Sequence, residues 1–451
     1  DRIARRPTPM RIAIVGAGVS GLVTAYLLSR RHDVVVFEAG SYAGGHTNTI
    51  RVDTDEETHD VDTGFIVFND RNYPSFERML AELGVPSQPA NMSFGVSDGR
   101  GGFEWAARGA RGIFARRRHL VDPRFIRMLS DLLRFNREVR DLVGPGGSAG
   151  DGPSLGEFLA DGRYSDYFVD RLIVPQVAAV WSADPDQMWS FPASFLAAFF
   201  DNHGVLQVRN RPAWRTIPGG SRRYVDALTA PFASRIRRRT PVRRVRRLSG
   251  SGVGVNHDDG EERFDEVVFA CHADQALATL AEPNRLEREL LAAFPYQPNE
   301  AVLHTDTSLL PRRQGARASW NFHLTDEPAG RTTVTYDMNR LQSLESARRY
   351  LVTLNRTGAI DPERVIRKID YSHPVFTRAG IGAQRRWEEI SGVDRVHFCG
   401  AYWRWGFHED GAWSALRVSA ALGGRGPGLE PTATAAGTAA ERGPEPLLEA
   451  A

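Results

Sequence analysis

The chain has 451 residues, 41% of them apolar and 25% charged, which are the proportions of a globular protein long enough for more than one domain. With 57 basic residues against 55 acidic ones the net charge is +2, so bulk charge gives no case for nucleic-acid binding. No apolar run approaches the roughly 20 residues that a bilayer-spanning helix needs, and no segment reads as a signal peptide.

Residues 1–9, rich in Arg and Pro, read as a disordered leader. An apolar run, Ile12 to Val15, then enters a glycine turn with Gly16, Gly18 and Gly21. A helical pattern follows, and a second apolar run, Val34 to Phe37, ends at Glu38 and Ala39. A dinucleotide-binding βαβ unit requires this order of strand, turn, helix, strand and acid. Gly16 permits the tight turn, Gly18 lets the backbone approach a diphosphate, and Gly21 lets the helix pack on its strand. The diphosphate would rest on free N–H groups at the helix start, around Ser20. Glu38 is placed to accept hydrogen bonds from a ribose diol. Gly44, Gly45 and His46 come next, then HDVDTGFIVF (His59 to Phe68), which contains Gly64 and Phe65.

From Pro123 to Val143 the pattern is helical, with Phe125, Ile126, Leu129, Leu132, Leu133 and Val139 on an apolar face. The other face carries Arg124, Arg127, Arg134, Arg137 and Arg140, and Arg116, Arg117 and Arg118 precede it. Two readings apply. One is a core helix with a solvated arginine face; the other is a peripheral contact with an anionic membrane through residues 116–140. Gly144 to Ser154 reads as a flexible linker, and Ser154 with Glu157 fits a capping box. TIPGGSRRYVDAL (Thr216 to Leu228) is a Gly-Gly pair opening a helix, and TPVRRVRR (Thr240 to Arg247) is a strand containing Val242. SGSGVG (Ser249 to Gly254) lies between strand-like runs with no helix after it, so it reads as a hairpin turn. There is then no second dinucleotide fold. Cys271 and Cys399 sit in apolar strand-like runs and read as buried free thiols in a reducing cytoplasm. AVLHTD, VTYDM and YLVTLN alternate, as antiparallel strands do.

The last ordered segment, Arg395 to Leu422, is a strand ending at Gly400 and Ala401, an aromatic loop, and a helix starting near Gly411 and Ala412 with Asp410 as its N-cap. The loop carries Tyr402, Trp403, Trp405 and Phe407, then His408 and Glu409. Residues 424–451, mostly Gly, Ala, Pro and Glu, read as a disordered tail. No Cys/His metal spacing and no nucleophile-elbow pattern is present.

These motifs together resemble the superfamily of flavin-containing amine oxidases and phytoene desaturases: the Gly-x-Gly-x-x-Gly unit, the Gly44-Gly45 pair, the Asp62-x-Gly64 strand, the second Gly-Gly helix, the Val242 strand and the closing Gly411-Ala412 helix. The chain is most similar to a bacterial subfamily of predicted NAD/FAD-binding oxidoreductases, often encoded beside cyclopropane-fatty-acid-synthase-like methyltransferases. The resemblance implies FAD as cofactor and an α/β fold: a Rossmann-like (GR2-type) FAD-binding domain with a discontinuous α+β substrate domain. FAD-binding segments would be 10–70, 211–285 and 392–423; substrate segments would be 71–210 and 286–391. It also implies that the Val242 backbone contacts adenine. The start of the closing helix would meet the flavin pyrimidine edge, where Gly411 and Ala412 would offer N–H groups to developing charge.

Three departures from the family pattern stand out. His46 replaces the usual Arg after Gly-Gly. Gly400-Ala401 replaces a Gly-acid pair. The strand region Gln297 to Asp306 lacks the lysine that many amine oxidases hold near the flavin, and the only lysine, Lys368, lies elsewhere. The missing lysine lowers amine oxidation relative to C–C desaturation. The expected activity is hydride removal from an apolar substrate, a fatty-acyl or isoprenoid chain. The alternatives are an amine oxidase releasing H₂O₂, a flavin-dependent isomerase, or a non-catalytic FAD-bearing partner of a lipid methyltransferase. Tyr402 and Trp405 would wall the substrate channel, and His408 or Glu409 would be the general base; the competing reading packs the aromatics in the core and gives both polar groups structural hydrogen bonds. The expected location is the cytoplasm, with peripheral contact on the inner membrane face.

Overall fold

The computed structural model describes residues 8–142, 152–181, 185–206, 211–325 and 331–424. Most of the expected leader, most of the linker and nearly all of the expected tail fall outside these ranges.

The chain enters a parallel sheet at β1 (Arg11–Val15), turns into α1 (Val19–Leu28), and returns as β2 (Asp33–Phe37) beside β1 in register. Ile12 to Val15 and Val34 to Phe37 are all buried, as are Ser20 to Leu28. Strands covered on both faces read as continuous apolar runs, which is why the Val/Ile clusters were legible. Each fully buried aliphatic side chain contributes about 1.5–3 kcal/mol. After α2 (Pro74–Glu82), α3 (Pro123–Asp141) and α4 (Arg222–Thr229), the chain rejoins this sheet. It adds β3 (Ile236–Arg237), leaves through the hairpin of β4 (Val242–Arg247) with Val253–His257, and returns at β5 (Glu266–Phe269). The order across the sheet is β3, β2, β1, β5 and then β8 (Val396–Phe398), all parallel. The order reverses between β1 and β5, and in such sheets ligands bind beyond the carboxyl ends of the strands at that point.

A second sheet of seven strands begins with β6 (Tyr296–His304) and β7 (Val365–Pro374), which pair antiparallel. It continues through Leu351–Leu354, Val334–Asp337, Trp320–His323, Phe94–Ser97 and Glu104–Ala106. The three alternating segments read as antiparallel strands all lie in it, and SGSGVG is the expected hairpin turn. Helices around α3 pack over this sheet on an aromatic cluster containing Phe125, Phe135, Phe168, Trp181 and Phe199. The last helix, α5 (His408–Ala421), lies against α1.

The apolar face of α3 differs from the sequence reading. Phe125 and Val139 are buried as expected, but so are Met128, Phe135 and the acid Asp131, while Ile126 and Leu133 are exposed. Asp131 earns its buried position by accepting from the backbone N–H (3.1 Å) and hydroxyl (2.6 Å) of Ser165, which rotates the helix away from the purely apolar stripe. Both cysteines are free thiols, Cys399 buried and Cys271 partly so. Among the described residues no helix is long and apolar enough to cross a membrane.

Candidate functional site

The glycine turn after β1 leaves a helix start open. Gly16 has φ +106°, and a Cβ there would lie 2.8 Å from the carbonyl oxygen of Ala270 after β5, so only glycine fits. Gly18 is the N-cap of α1; it has an ordinary φ of −76°, no side chain caps the helix, and a Cβ on it would meet nothing within 4 Å. The first-turn amides around Val19 and Ser20 therefore face open space at the positive end of the dipole. Glu38 braces this turn. One carboxylate oxygen accepts from Ala17 N–H (2.8 Å) and the other from Gly40 N–H (2.6 Å), leaving further lone pairs free. Backbone bonds from Arg239 to Gly40 (2.9 Å) and from Thr240 to Glu38 (2.8 Å) bring the start of β4, with half-buried Val242, alongside; Ala39 is exposed.

The second glycine pair docks on the first. Gly44 N–H donates to Ala17 (2.7 Å), and Gly18 and Gly44 form a parallel bridge. The His46 carbonyl accepts from Phe65 N–H (2.8 Å), so closely that a Cβ on Gly64 would lie 2.2 Å from it. Asp62 is buried just before and accepts from the Ser221 backbone N–H (2.9 Å) and hydroxyl (2.9 Å), from Thr49 (2.5 Å) and from Gln342 (3.1 Å). The Asp-x-Gly strand is thus tied to the Gly-Gly helix α4. Burial pushes the Asp62 carboxyl up to about 6 against those hydrogen bonds.

Three histidines from distant segments meet past the strand ends. The His46 ring stacks on Tyr371 (4.9 Å between centroids) and lies 5.1 Å from His373 and 6.3 Å from His272. His272 stacks on Tyr296 (4.3 Å). Asn299 of β6 donates to His373 Nδ1 (2.9 Å) and accepts from Asn355 (2.7 Å). Loss of hydration lowers His46 and His272 to about 4 and His373 to about 3, so all three are neutral rings at ordinary pH. His46 Nε2 is enclosed and has no hydrogen-bond partner. No group of three metal-ligating residues suited to an ion exists among the described residues.

The closing helix starts earlier than its sequence suggests. α5 begins at His408 with Phe407 as N-cap, and Asp410 is its third residue, accepting from Phe407 N–H (2.9 Å). Asp410 is therefore the third helical residue, its carboxylate accepting from the amide of the N-cap Phe407, and not the N-cap. Gly411 N–H already bonds Phe407 (3.1 Å), and Ala412 lies further inside, so neither is a free donor. The open first-turn amides move to His408 and Glu409. Gly411 instead makes room for α1: a Cβ there would lie 2.6 Å from Val19. Gly400 N–H is taken by the Ser414 hydroxyl (2.9 Å), and Ala401 opens a short turn after it.

The four residues considered for chemistry do not converge. Tyr402 is buried against Phe294 and Trp403 in the core of the parallel sheet. Trp405 packs on the aromatic cap cluster, near Phe199 and His203. His408 Nε2 meets the hydroxyls of Thr47 (2.8 Å) and Tyr224 (3.1 Å), and its ring stacks on Phe65 at 3.5 Å; burial drives its pKa far down. Glu409 accepts from the backbone N–H groups of Ser75 (3.0 Å) and Phe76 (2.9 Å) at the start of α2, and burial raises it to about 7. Both polar groups are thus committed to structural hydrogen bonds. The sequence motifs gave no place to His272, Asn299, Thr47, Tyr224, Tyr371 or His373. The available signal was the position of His272, three residues beyond β5 at the point where strand order reverses.

The residues present fit a dinucleotide flavin. A strip of partly open groups, Gly18, Val19, Gly45, His46, Gly64, His272 and His373, runs between buried elements from the α1 amides to the unpartnered His46 nitrogen. The glycine turn, Glu38 and the α1 amides would hold the diphosphate and ribose. The comparisons agree. The model of the family described as flavin containing amine oxidoreductase matches residues 19–422. A Mycobacterium tuberculosis protein, provisionally named a flavin-containing monoamine oxidase, is 27% identical over 299 residues, 62% of this chain and 61% of its own length. The alignment thus spans under two thirds of that relative. Cyclohexylamine oxidase from Brevibacterium oxydans superposes with a TM-score of 0.66 at 18% identity, covering 92% of this chain and 98% of its own. A conjugated-linoleic-acid-producing fatty acid isomerase from P. acnes gives 0.64 at 14% identity, with 92% and 98% covered. The chain belongs to the flavin-containing amine oxidoreductase family.

Proposed function

We propose that the chain is an FAD-dependent oxidoreductase that removes hydride from an uncharged, apolar substrate, a fatty-acyl or isoprenoid chain, which it desaturates or oxidises. One observation carries this reading. The ring side chains on the strip, His46, His272 and His373, with Tyr371 and Asn299 against them, bear no charge. The acids in the same segments, Asp62, Glu409 and Asp410, are spent on backbone amides. A protonated amine would enter with no counter-ion, at a desolvation cost of several kcal/mol. An acyl chain meets no such cost, and Trp405, Phe407 and Trp320 link the site to the aromatic cap cluster.

FAD, when bound, supplies the two-electron acceptor. The protein's part is to hold a substrate carbon dry and oriented. Asn299 stands in the strand region that lacks the lysine of many amine oxidases, with its amide held by His373 and Asn355. The only lysine, Lys368, is exposed on β7.

Amine oxidation is the second reading, favoured by the relative of 27% identity. Anaerobic bleaching of the holoenzyme near 450 nm separates the two. Unsaturated phospholipids or free fatty acids should bleach the flavin. Bleaching by primary or secondary amines, with lipids inert, would overturn the apolar-substrate reading.

A further inference from the structure

Of the eight large apolar side chains most exposed among the described residues, four lie within 14 residues: Leu120 (56%), Val121 (79%), Ile126 (46%) and Leu133 (61%). They occupy the turn before α3 and its outer face. Ile126, Ser130, Leu133 and Arg137 follow one another at helical spacing along that face, all exposed. Basic residues surround them. Segment 116–141 holds eight arginines against four acids. Three of the acids are engaged: Asp122 accepts from Arg124 N–H (3.0 Å), Asp131 is buried against Ser165, and Glu138 accepts from Tyr164. The side chains of Arg117, Arg118 and Arg137 make no hydrogen bond or ion pair among the described residues, and all three residues are exposed.

We propose that this face docks on an anionic lipid bilayer, with Leu120, Val121, Ile126 and Leu133 entering the acyl boundary and the arginines meeting the head groups. Charge complementarity selects this occupant. A purely apolar patch would suit a second copy of the chain, but two such faces brought together would also oppose their unpaired arginines. An anionic surface uses both features at once, since apolar burial and roughly fivefold in affinity per surface arginine act together. The inner side of α3 strengthens the assignment. Phe125, Met128, Phe135 and Val139 belong to the aromatic cap cluster that reaches Trp405 and Phe407, beside His408. The docking face and the flavin site thus share one continuous apolar layer. The inference holds whatever the substrate class.

The test uses the full-length holoenzyme in co-sedimentation with vesicles of phosphatidylcholine alone, or of phosphatidylcholine with phosphatidylglycerol. Binding to the anionic vesicles should exceed binding to the neutral ones by roughly tenfold or more, and should weaken with salt as screening shortens the reach of each charge. Two variants probe the face: Leu120→Ser/Val121→Ser/Ile126→Ser/Leu133→Ser, and Arg117→Gln/Arg118→Gln/Arg137→Gln. Each should lose binding by about tenfold or more while keeping its flavin spectrum, since the replaced side chains are exposed. The idea is overturned if the wild type stays in the supernatant with anionic vesicles. It is equally overturned if both variants bind unchanged, or if sedimentation velocity finds a wild-type dimer that the apolar variant dissociates.

Discussion

The carboxylate of Glu409, at the second position of α5, sits on the backbone N–H groups of Ser75 and Phe76 at the start of α2, 2.9–3.1 Å away. One acid therefore ties the closing helix to the first helix after the dinucleotide unit. Burial raises its carboxyl from 4.5 to about 7 even though the amides favour the ionised form.

That shift has a sign. Between about 4.5 and about 7 the folded chain keeps a proton on Glu409 that the unfolded chain has lost, so this residue's contribution to stability falls as pH rises through that window. Glu409→Gln removes the titration and keeps an oxygen for the amides. The stability of wild type relative to Glu409→Gln should therefore be greater at pH 5 than at pH 8, measured by urea unfolding of the holoenzyme. A difference that is flat, or that grows with pH, contradicts the assigned shift.

Gly18 allows fold and cofactor to be separated. Its φ is ordinary and a Cβ there meets open space, whereas a Cβ on Gly21 would fall 2.0 Å from the Gly16 carbonyl. Gly18→Ala should leave apoprotein stability within about 1 kcal/mol, the usual scale of a cap change. FAD affinity should drop by about tenfold or more, because the methyl group fills the space that a diphosphate needs. Titration of apoprotein with FAD reads the second effect and thermal unfolding the first. Full FAD affinity in this variant would mean that the diphosphate lies elsewhere.

What the sequence disclosed follows from the range over which each feature is determined. The βαβ unit was legible because Gly16, Gly18, Gly21 and Glu38 act within 23 residues and the strands are uniformly apolar. The start of α5 was misplaced because an aspartate serves equally well as N-cap or as a third helical residue that accepts from the N-cap amide, and Asp410 takes the second role. The face of α3 was rotated because Asp131 exchanged solvent for Ser165, a partner 34 residues away. The histidine group was legible at most through His272, next to the strand-order reversal: positions 46, 272 and 373 are joined only once β1, β5 and β7 are in place.

Asp62 should be the costliest polar residue to lose among those joining the flavin-side motifs. It satisfies the Ser221 N–H and hydroxyl, Thr49 and Gln342, all but Thr49 deep in the interior. Asp62→Ala leaves these donors unpaired and should cost about 2–4 kcal/mol, while Ser221→Ala, which removes one hydroxyl, should cost about 1 kcal/mol. Chemical denaturation of both proteins checks the order. Equal losses would show that the Asp62 carboxylate is not the shared acceptor.

His46 offers the sharpest test of where the flavin is held. Its Nε2 is the enclosed ring nitrogen in the strip that lacks a partner, and its ring stacks on Tyr371. A buried polar atom left unpaired costs about 1–3 kcal/mol, so a bound group that pairs with it recovers roughly that amount. His46→Phe keeps the stacking surface and removes the nitrogen. The apoprotein should be at least as stable as wild type, whereas FAD should bind roughly fivefold to a hundredfold more weakly. Because His46 stays neutral down to about pH 4, wild-type affinity should not change between pH 5 and 8 on its account. An affinity that rises as pH falls below 6.5, and loses that rise in His46→Phe, would instead show a protonated ring gripping the diphosphate, in the manner of the arginine that this position otherwise carries.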